Sequence, residues 1–250
     1  MRLRAICFFA LTVAFSGAAL CQTFAAMSLV GYEMTVIQAG HSTGTSRDTN
    51  VHEALPMPDR AFDLAALRAV DQAMRKARPE AKVVLLAGRD PAWAAAAKQD
   101  LGVGSTEFDA LTRGLAKAAE QAGAQQLIVV LPARLDLRMR VEQGTIGRGR
   151  GAGIGLYVDR DTPLRSADNR EVANGFLGVF ANFRVAVIEA PSGRVLADDT
   201  VSAGMAYSAA RSKDGDIMNV LSGQQKVQAI EQLLRTEIGR VLPPLLARTT

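Results

Sequence analysis

Apolar positions along the chain repeat with two periods, and the places where the period changes mark its elements. Over 133–142 the alternation is strict. Ala133, Leu135, Leu137, Met139 and Val141 fall on one side; Arg134, Asp136, Arg138, Arg140 and Glu142 fall on the other. Period two over this length predicts a strand with one buried face and one charged, wet face. Phe62, Leu64, Leu67, Val70 and Met74 recur at helical spacing instead, which predicts a helix from an Asp59 cap to Arg78-Pro79. Phe108, Leu111, Leu115 and Ala119 predict another from a Ser105 cap to Gln121, closed by Gly123. Val227, Ile230, Leu233, Leu234, Ile238 and Val241 predict a last helix over 224–242, which Pro243-Pro244 should stop. Asp90-Pro91 opens a short Ala-rich helix through Gln99, with Trp93 as its core anchor.

Continuous apolar runs at 82–87 and 126–131 read as buried strands. Residues 28–39 read as a first strand, 40–58 as a long polar loop, and 151–158 as a weaker strand. Residues 159–174 read as loop, 176–189 as a long strand, and 194–202 as its hairpin partner across the 190–193 turn. A further loop covers 204–223. Strands alternating with helices place the chain in the α/β class: a mixed β-sheet with helices packed on it. A long β-hairpin excursion, 133–158, leaves that sheet and carries a Gly/Arg-rich tip.

The first residues address the protein. Arg2 and Arg4 precede an apolar run from Ala5 to Phe15, then Ser16, Gly17, Ala18 and Ala19. That is the form of a secretory signal peptide. The run is short of the about 20 residues a membrane span needs. Thr23 and Ala25 stand as small residues at −3 and −1 of a cut before Ala26. The expected organisation is a signal peptide at 1–25 and a single α/β domain at 26–250, with 28–100 and 104–242 as candidate sub-units. The expected location is the periplasm. Both cysteines, Cys7 and Cys21, precede that cut, so a chain cut there has no thiol. The alternative is a membrane-anchored lipoprotein acylated at Cys21, although Leu20 directly before it departs from the small residue usual there.

Apolar residues make up 48% of the sequence, which suits a packed globule. The formal charge of +4 falls to +2 once the two leader arginines are gone, too near neutral to argue for nucleic acid. Positive charge is instead local. Six glycines lie between 144 and 155, with Arg148 and Arg150 among them. Eight arginines and five acids lie between 134 and 170. Arginine forks take carboxylates and phosphates in pairs of hydrogen bonds. Arg138, Arg140, Arg148, Arg150 and Arg160 are therefore the candidate contact residues, for an envelope protein or an anionic envelope component. The Gly149-Arg150-Gly151 string lies between strands, so a dinucleotide site is not expected, and no P-loop lysine follows it.

No cofactor, metal site or catalytic group is expected. His41 and His52 share the 40–58 loop with Ser42, Asp48 and Glu53, at a spacing that matches no metal motif. Asp159/Asp161 and Asp198/Asp199 read as solvated acids.

The stretch Phe183-Arg-Val-Ala-Val-Ile-Glu-Ala-Pro-Ser-Gly-Arg-Val-Leu-Ala-Asp-Asp-Thr-Val201 is an extended strand, a Ser-Gly turn and a return. With the helix, strand and excursion before it and the late helix after it, 104–242 resembles bacterial envelope modules. These are the curli-secretion protein CsgG, the penicillin-binding-protein activator LpoB and the N-terminal domain of TolB. The resemblance implies a small domain with helices on one face of a mixed sheet that binds proteins rather than catalysing. CsgG and LpoB are lipoproteins, and 28–100 has no counterpart in them. The leading expectation is thus an exported, non-enzymatic protein-binding or envelope-assembly module. A membrane-facing or pore-forming oligomer is one alternative, because 133–142 has the length of a membrane-crossing β-strand and 151–158 could pair with it. An exported hydrolase using the His41–His52 loop is the other.

Overall fold

The computed structural model describes residues 22–40, 48–57, 59–99, 102–142, 144–168 and 170–249; the leader, Cys21 and His41 lie outside these. Its first strand, β1 (Thr23–Ser28), is apolar from Phe24 to Met27, and all four residues are buried. Such a strand must be covered on both faces and on both edges. β1 runs parallel to β4 (Lys82–Ala87) on one side and to β5 (Gln126–Pro132) on the other. A cut between Ala25 and Ala26 would divide this central strand. The expected strand at 28–39 is therefore two: β1 ends at Ser28, and β2 (Glu33–Gln38) starts after a turn at Val30–Tyr32. The polar 40–58 stretch holds β3 (Val51–Pro56), antiparallel to β2. β3 is mostly exposed, so no burial period marks it in the sequence; its partner strand makes it a strand.

Two helices cover one face of the sheet. α1 (Ala61–Ala77) buries Phe62, Ala66, Leu67, Val70 and Met74. It packs with α4 (Gly223–Ala247) over the sheet's largest apolar cluster. Ser222 and Gln225 close a capping box at the start of α4. The helix does not stop at Pro243-Pro244 as expected. Leu245 and Leu246, the next members of its apolar stripe, are buried, and their burial offsets the two missing N–H donors. The opposite face is covered at one end by α2 (Pro91–Ala97) and α3 (Thr106–Gln121). Asp90 and Ser105 cap these two helices, the second as expected. Trp93 packs toward α3, its Nε1 beside Gly114, so it anchors helix to helix rather than helix to sheet. Helices on both faces differ from the one-faced arrangement that the family resemblance implies.

The rest of the sheet is built on β10 (Val172–Glu189). β9 (Arg150–Arg165) pairs with its first half and β5 with its second, along the same edge; β11 (Val195–Ser208) lies along the other. β2 then runs parallel to β9. Residues 159–174, expected as loop, are mostly strand: β9 continues to Arg165, and β10 starts at Val172. Likewise β11 runs to Ser208, past the expected end of the hairpin. Exposed positions hide the β9 and β10 extensions from the sequence pattern, and in the β11 extension the buried positions are small (Ala203, Gly204, Ser208) and mark no apolar period.

A chain that begins at Ala26 loses Phe24 from the core and half of the central ladder. Truncating one buried aromatic already costs about 3–5 kcal/mol. Urea unfolding of a chain begun at Gln22 against one begun at Ala26 should show the second with a much lower midpoint, or unfolded.

Candidate functional site

The expected ten-residue strand at 133–142 is present as a pattern of burial but not as one strand. Leu137 and Met139 are buried, and Arg134, Asp136, Arg138, Arg140 and Glu142 are exposed. The chain bends after three residues. β6 (Arg134–Asp136) pairs antiparallel with the start of β9. The backbone then crosses the open face of the sheet, and β7 (Met139–Val141) touches β11 through Arg140 and Met205. β8 (Gly144–Ile146) returns along β7. Residues 133–149 thus form a strap across the face that α2 and α3 leave uncovered.

The strap is seated by shape. Leu137 and Met139 enter a cluster of Ile37, Tyr157, Phe176 and Phe180. A Cβ at Gly178 would come 3.0 Å from Met139 Cγ, and one at Gly204 would come 3.1 Å from the same atom. Those two glycines leave the hollow that Met139 fills. The strap is also fastened by polar groups. Buried Asn182 donates from Nδ2 to Leu135 O at 3.2 Å and to Gly151 O at 2.9 Å. Ser202 Oγ donates to Asp136 O at 2.7 Å. Ala133 N donates to Asn182 O at 3.1 Å.

The Gly/Arg segment is not the tip of a hairpin. The hairpin pair within the excursion is β7 with β8, Val141 opposite Gly144, and 150–155 is already the start of β9. At Gly155 a Cβ would lie 1.9 Å from Thr35 O, so only glycine lets β2 and β9 approach there. Residues 148–150 are clamped by the 48–50 stretch. Asn50 Nδ2 donates to Arg148 O at 2.7 Å, and Arg150 N donates to Asp48 Oδ2 at 3.1 Å. Gly147, Gly149, Gly151 and Gly155 serve close packing, whereas Gly144 faces open space.

The five candidate arginines divide into three settings. Arg138 and Arg140 stand on the outer side of the strap, 3.9 Å from Asp136 and 3.8 Å from Glu237 of α4. Arg148 reaches Asp159 at 3.8 Å, and Arg160 is exposed next to it in sequence. Arg150 donates from Nη2 to Arg134 O at 2.6 Å, a local structural bond. Asp159 is not the solvated acid expected. It is buried, and its carboxylate accepts from Asp161 N, Thr162 N and Thr162 Oγ1 at 2.8–2.9 Å. Asp198 lies 3.5 Å from Arg184.

Tyr157, under the strap, has a buried Oη that forms no hydrogen bond of good geometry. Burial, and then Asp159, push its ionisation above the ordinary tyrosine value, against the opposing pull of Arg148.

His52 lies on β3, and His41 and Ser42 fall outside the described residues. The string Gly40-His41-Ser42-Thr43-Gly44 has the Gly-x-Ser-x-Gly form of a nucleophile elbow. That elbow joins a strand to a helix. Here its residues 41–44 lie outside the described residues, between β2 and β3 in the sequence, and no helix follows β2 before β3 among the described residues. Among the described residues no group of three or more His, Cys, Asp or Glu is placed to hold a metal.

A second polar cluster carries no sequence signal. At the carboxyl ends of β1 and β4, Asp63 of α1 is buried. Its Oδ1 accepts from Ser28 Oγ at 2.6 Å and Gly31 N at 3.0 Å. Its Oδ2 accepts twice from Arg60, at 2.8 and 2.6 Å. Arg60, in the left-handed region at φ 53°, also donates to Gly88 O and Ser28 O and lies over the Tyr32 ring at 4.3 Å. The carboxylate's bonds are all internal, so the cluster serves to hold the β1–β2 turn against α1. Beside it, Lys98 and Glu33 pair at 2.5 Å across a shallow cleft next to the end of β5.

Two predictions concern the strap. Asn182→Ala leaves two carbonyls without their donor and should cost about 1–3 kcal/mol, read by urea unfolding. Tyr157 and Tyr207 both ionise above the ordinary value, Tyr207 mainly through burial. The folded state holds these protons longer than the unfolded state. Stability should therefore fall as pH rises past about 10, the unfolded tyrosine value. Tyr157→Phe, which removes a hydroxyl without a good partner, should be neutral or stabilising at pH 7 and should flatten that alkaline loss.

No family model matches the chain, and no curated protein matches it. Solved structures do match over most of its length. The protein XCC0632 from Xanthomonas campestris is 10% identical, over 91% of this chain and 84% of that one, with a TM-score of 0.34. A putative neuraminyllactose-binding hemagglutinin homolog from Helicobacter pylori is 7% identical, over 92% and 84%, with a TM-score of 0.36. A PelC variant from Paraburkholderia phytofirmans, described as a dodecamer, is 11% identical, over 90% and 87%, with a TM-score of 0.29. At these scores and identities the likeness carries nothing about function.

Proposed function

We propose that the chain is an exported, non-enzymatic binding module of the bacterial envelope. The outer side of the strap, with Arg138 and Arg140 and with Arg148 at its flank, receives an acidic surface of another envelope protein. The observation that carries this reading is the seating of the strap. Its apolar side chains fill a made hollow and its carbonyls are held by Asn182 and Ser202, so its arginines project from a fixed backbone. A fixed backbone lowers the ordering cost of binding.

The existing ion pairs do not compete strongly. Arg138–Asp136 and Arg140–Glu237 are 3.9 and 3.8 Å long, and the arginine side chains are 66% and 73% exposed. The Arg138–Asp136 pair is exposed on both sides, and such pairs are worth about 0–1 kcal/mol; Glu237 is buried but is held at 2.7 Å by Arg240, so Arg140 is its longer second partner. A carboxylate that meets the guanidinium fork edge-on is the stronger partner. The leader-like start supplies the address in this reading. The membrane-hairpin alternative gains no support, because 154–158 of β9 is enclosed between β2 and β10 and would have to leave the sheet.

The test is capture from envelope extract with the wild-type chain and with an Arg138→Glu/Arg140→Glu variant. The wild type should retain a reproducible acidic partner at 0.1 M salt and lose it near 1 M, where the screening length is about 3 Å. The variant should retain at least about tenfold less, on the order of 1.4 kcal/mol. Equal capture by both chains would overturn the assignment of the strap.

A further inference from the structure

We infer that the leader is removed at the Ala19–Leu20 bond, upstream of the cut that the Thr23/Ala25 pair suggests; this rests on the export reading above. The inference comes from the position of β1. Thr23, Phe24 and Ala25 pair with Lys82, Val83 and Val84 of β4. Phe24 and Ala25 also pair with Gln126 and Leu127 of β5. The ladder is already engaged before the strand begins. Lys82 N donates to Gln22 O at 3.1 Å, Gln125 N to Thr23 O at 2.9 Å, and Thr23 N to Gln125 Oε1 at 2.7 Å.

A cut after Ala25 removes one side of all these contacts. Among the described residues β4 pairs with no strand but β1, so its first half would lose that pairing. Leu127, fully buried beside Ala25 in the ladder, would lose that neighbour, and Phe24 would leave a hollow under α1 and α4. Buried backbone groups would also lose their partners, which native proteins almost never tolerate.

A peptidase that follows the apolar run needs small residues at −3 and −1. Between Phe15 and Thr23, Gly17 and Ala19 are the smallest such pair, and they direct the cut to Ala19–Leu20. Three residues, Leu20, Cys21 and Gln22, then precede β1. The reaction is hydrolysis: the Ala19–Leu20 amide takes up water and yields a new carboxylate on the leader and a new amine on Leu20. The mature chain keeps Cys21 as its single cysteine, since Cys7 leaves with the leader.

The experiment is intact-mass measurement of the full chain expressed with its own leader in a bacterial host, in periplasmic, membrane and cytoplasmic fractions. Maleimide labelling of the denatured product accompanies it. The expected result is a soluble periplasmic species that starts at Leu20 and takes one label, and an Ala19→Leu variant that accumulates with its leader attached. A folded periplasmic species that starts at Ala26 and takes no label would overturn the inference and leave the export reading standing. A membrane species that starts at an acylated Cys21 would do the same. A cytoplasmic species that keeps Met1 would overturn the export reading itself, and the inference with it.

Discussion

A strand buried on both faces leaves little room for polar side chains, and β10 is arranged around that constraint over Phe176–Ile188. Its odd residues from Leu177 to Val187 face α1 and α4. Its even residues face the other side, where Phe176 and Phe180 lie under the strap and Ala186 and Ile188 lie under α3. The exceptions sit where the two covers meet. Asn182 uses its side chain to hold the strap, and Arg184 spreads over the Phe108 ring at 5.2 Å. One strand therefore sets which segments must cover the sheet and where each cover ends. The strap exists because α2 and α3 are too short to cover the whole of that second face.

Burial explains which elements were legible in the sequence. α3 has a polar outer side, a Ser105 cap and a single apolar stripe, so period and cap both point to it. β10 and β5 are continuous apolar runs and were equally plain. β3 and the distal half of β9 are exposed on an edge or an extension. Backbone pairing alone makes them strands, and pairing leaves no mark on composition. Pro243-Pro244 misled in the opposite direction. Local propensity there argues against helix, and the buried Leu245 and Leu246 outweigh it.

The candidate site was half legible. The alternation at 133–142 correctly separated buried Leu137 and Met139 from exposed Arg138 and Arg140. It did not show that the backbone turns across the sheet, because a bent strap and a straight strand share the same in-and-out pattern. The hydrogen bonds from Asn182 and Ser202 come from residues 47 and 66 positions away. No local pattern carries such contacts. For the same reason, the Asp63–Arg60–Ser28 cluster had no sequence signature at all.

The glycines between 144 and 155 admit two opposite meanings in sequence: a tip that must move, or backbones that must touch. At Gly147, Gly149, Gly151 and Gly155 the structure decides for contact. Gly155 lets β2 and β9 approach, and the 48–50 stretch clamps the arginines next to Gly149. This changes how the neighbouring arginines act. On a mobile tip, each arginine would lose backbone freedom on meeting a partner, about 1–2 kcal/mol per residue ordered. On a seated strap that ordering is already complete, and only side-chain freedom remains to be lost. Weak, solvent-screened ion pairs can then be exchanged for better ones at low cost. Arg138, just before β7, and Arg140, on it, are both exposed on the strap, and the seated backbone fixes the spacing between them.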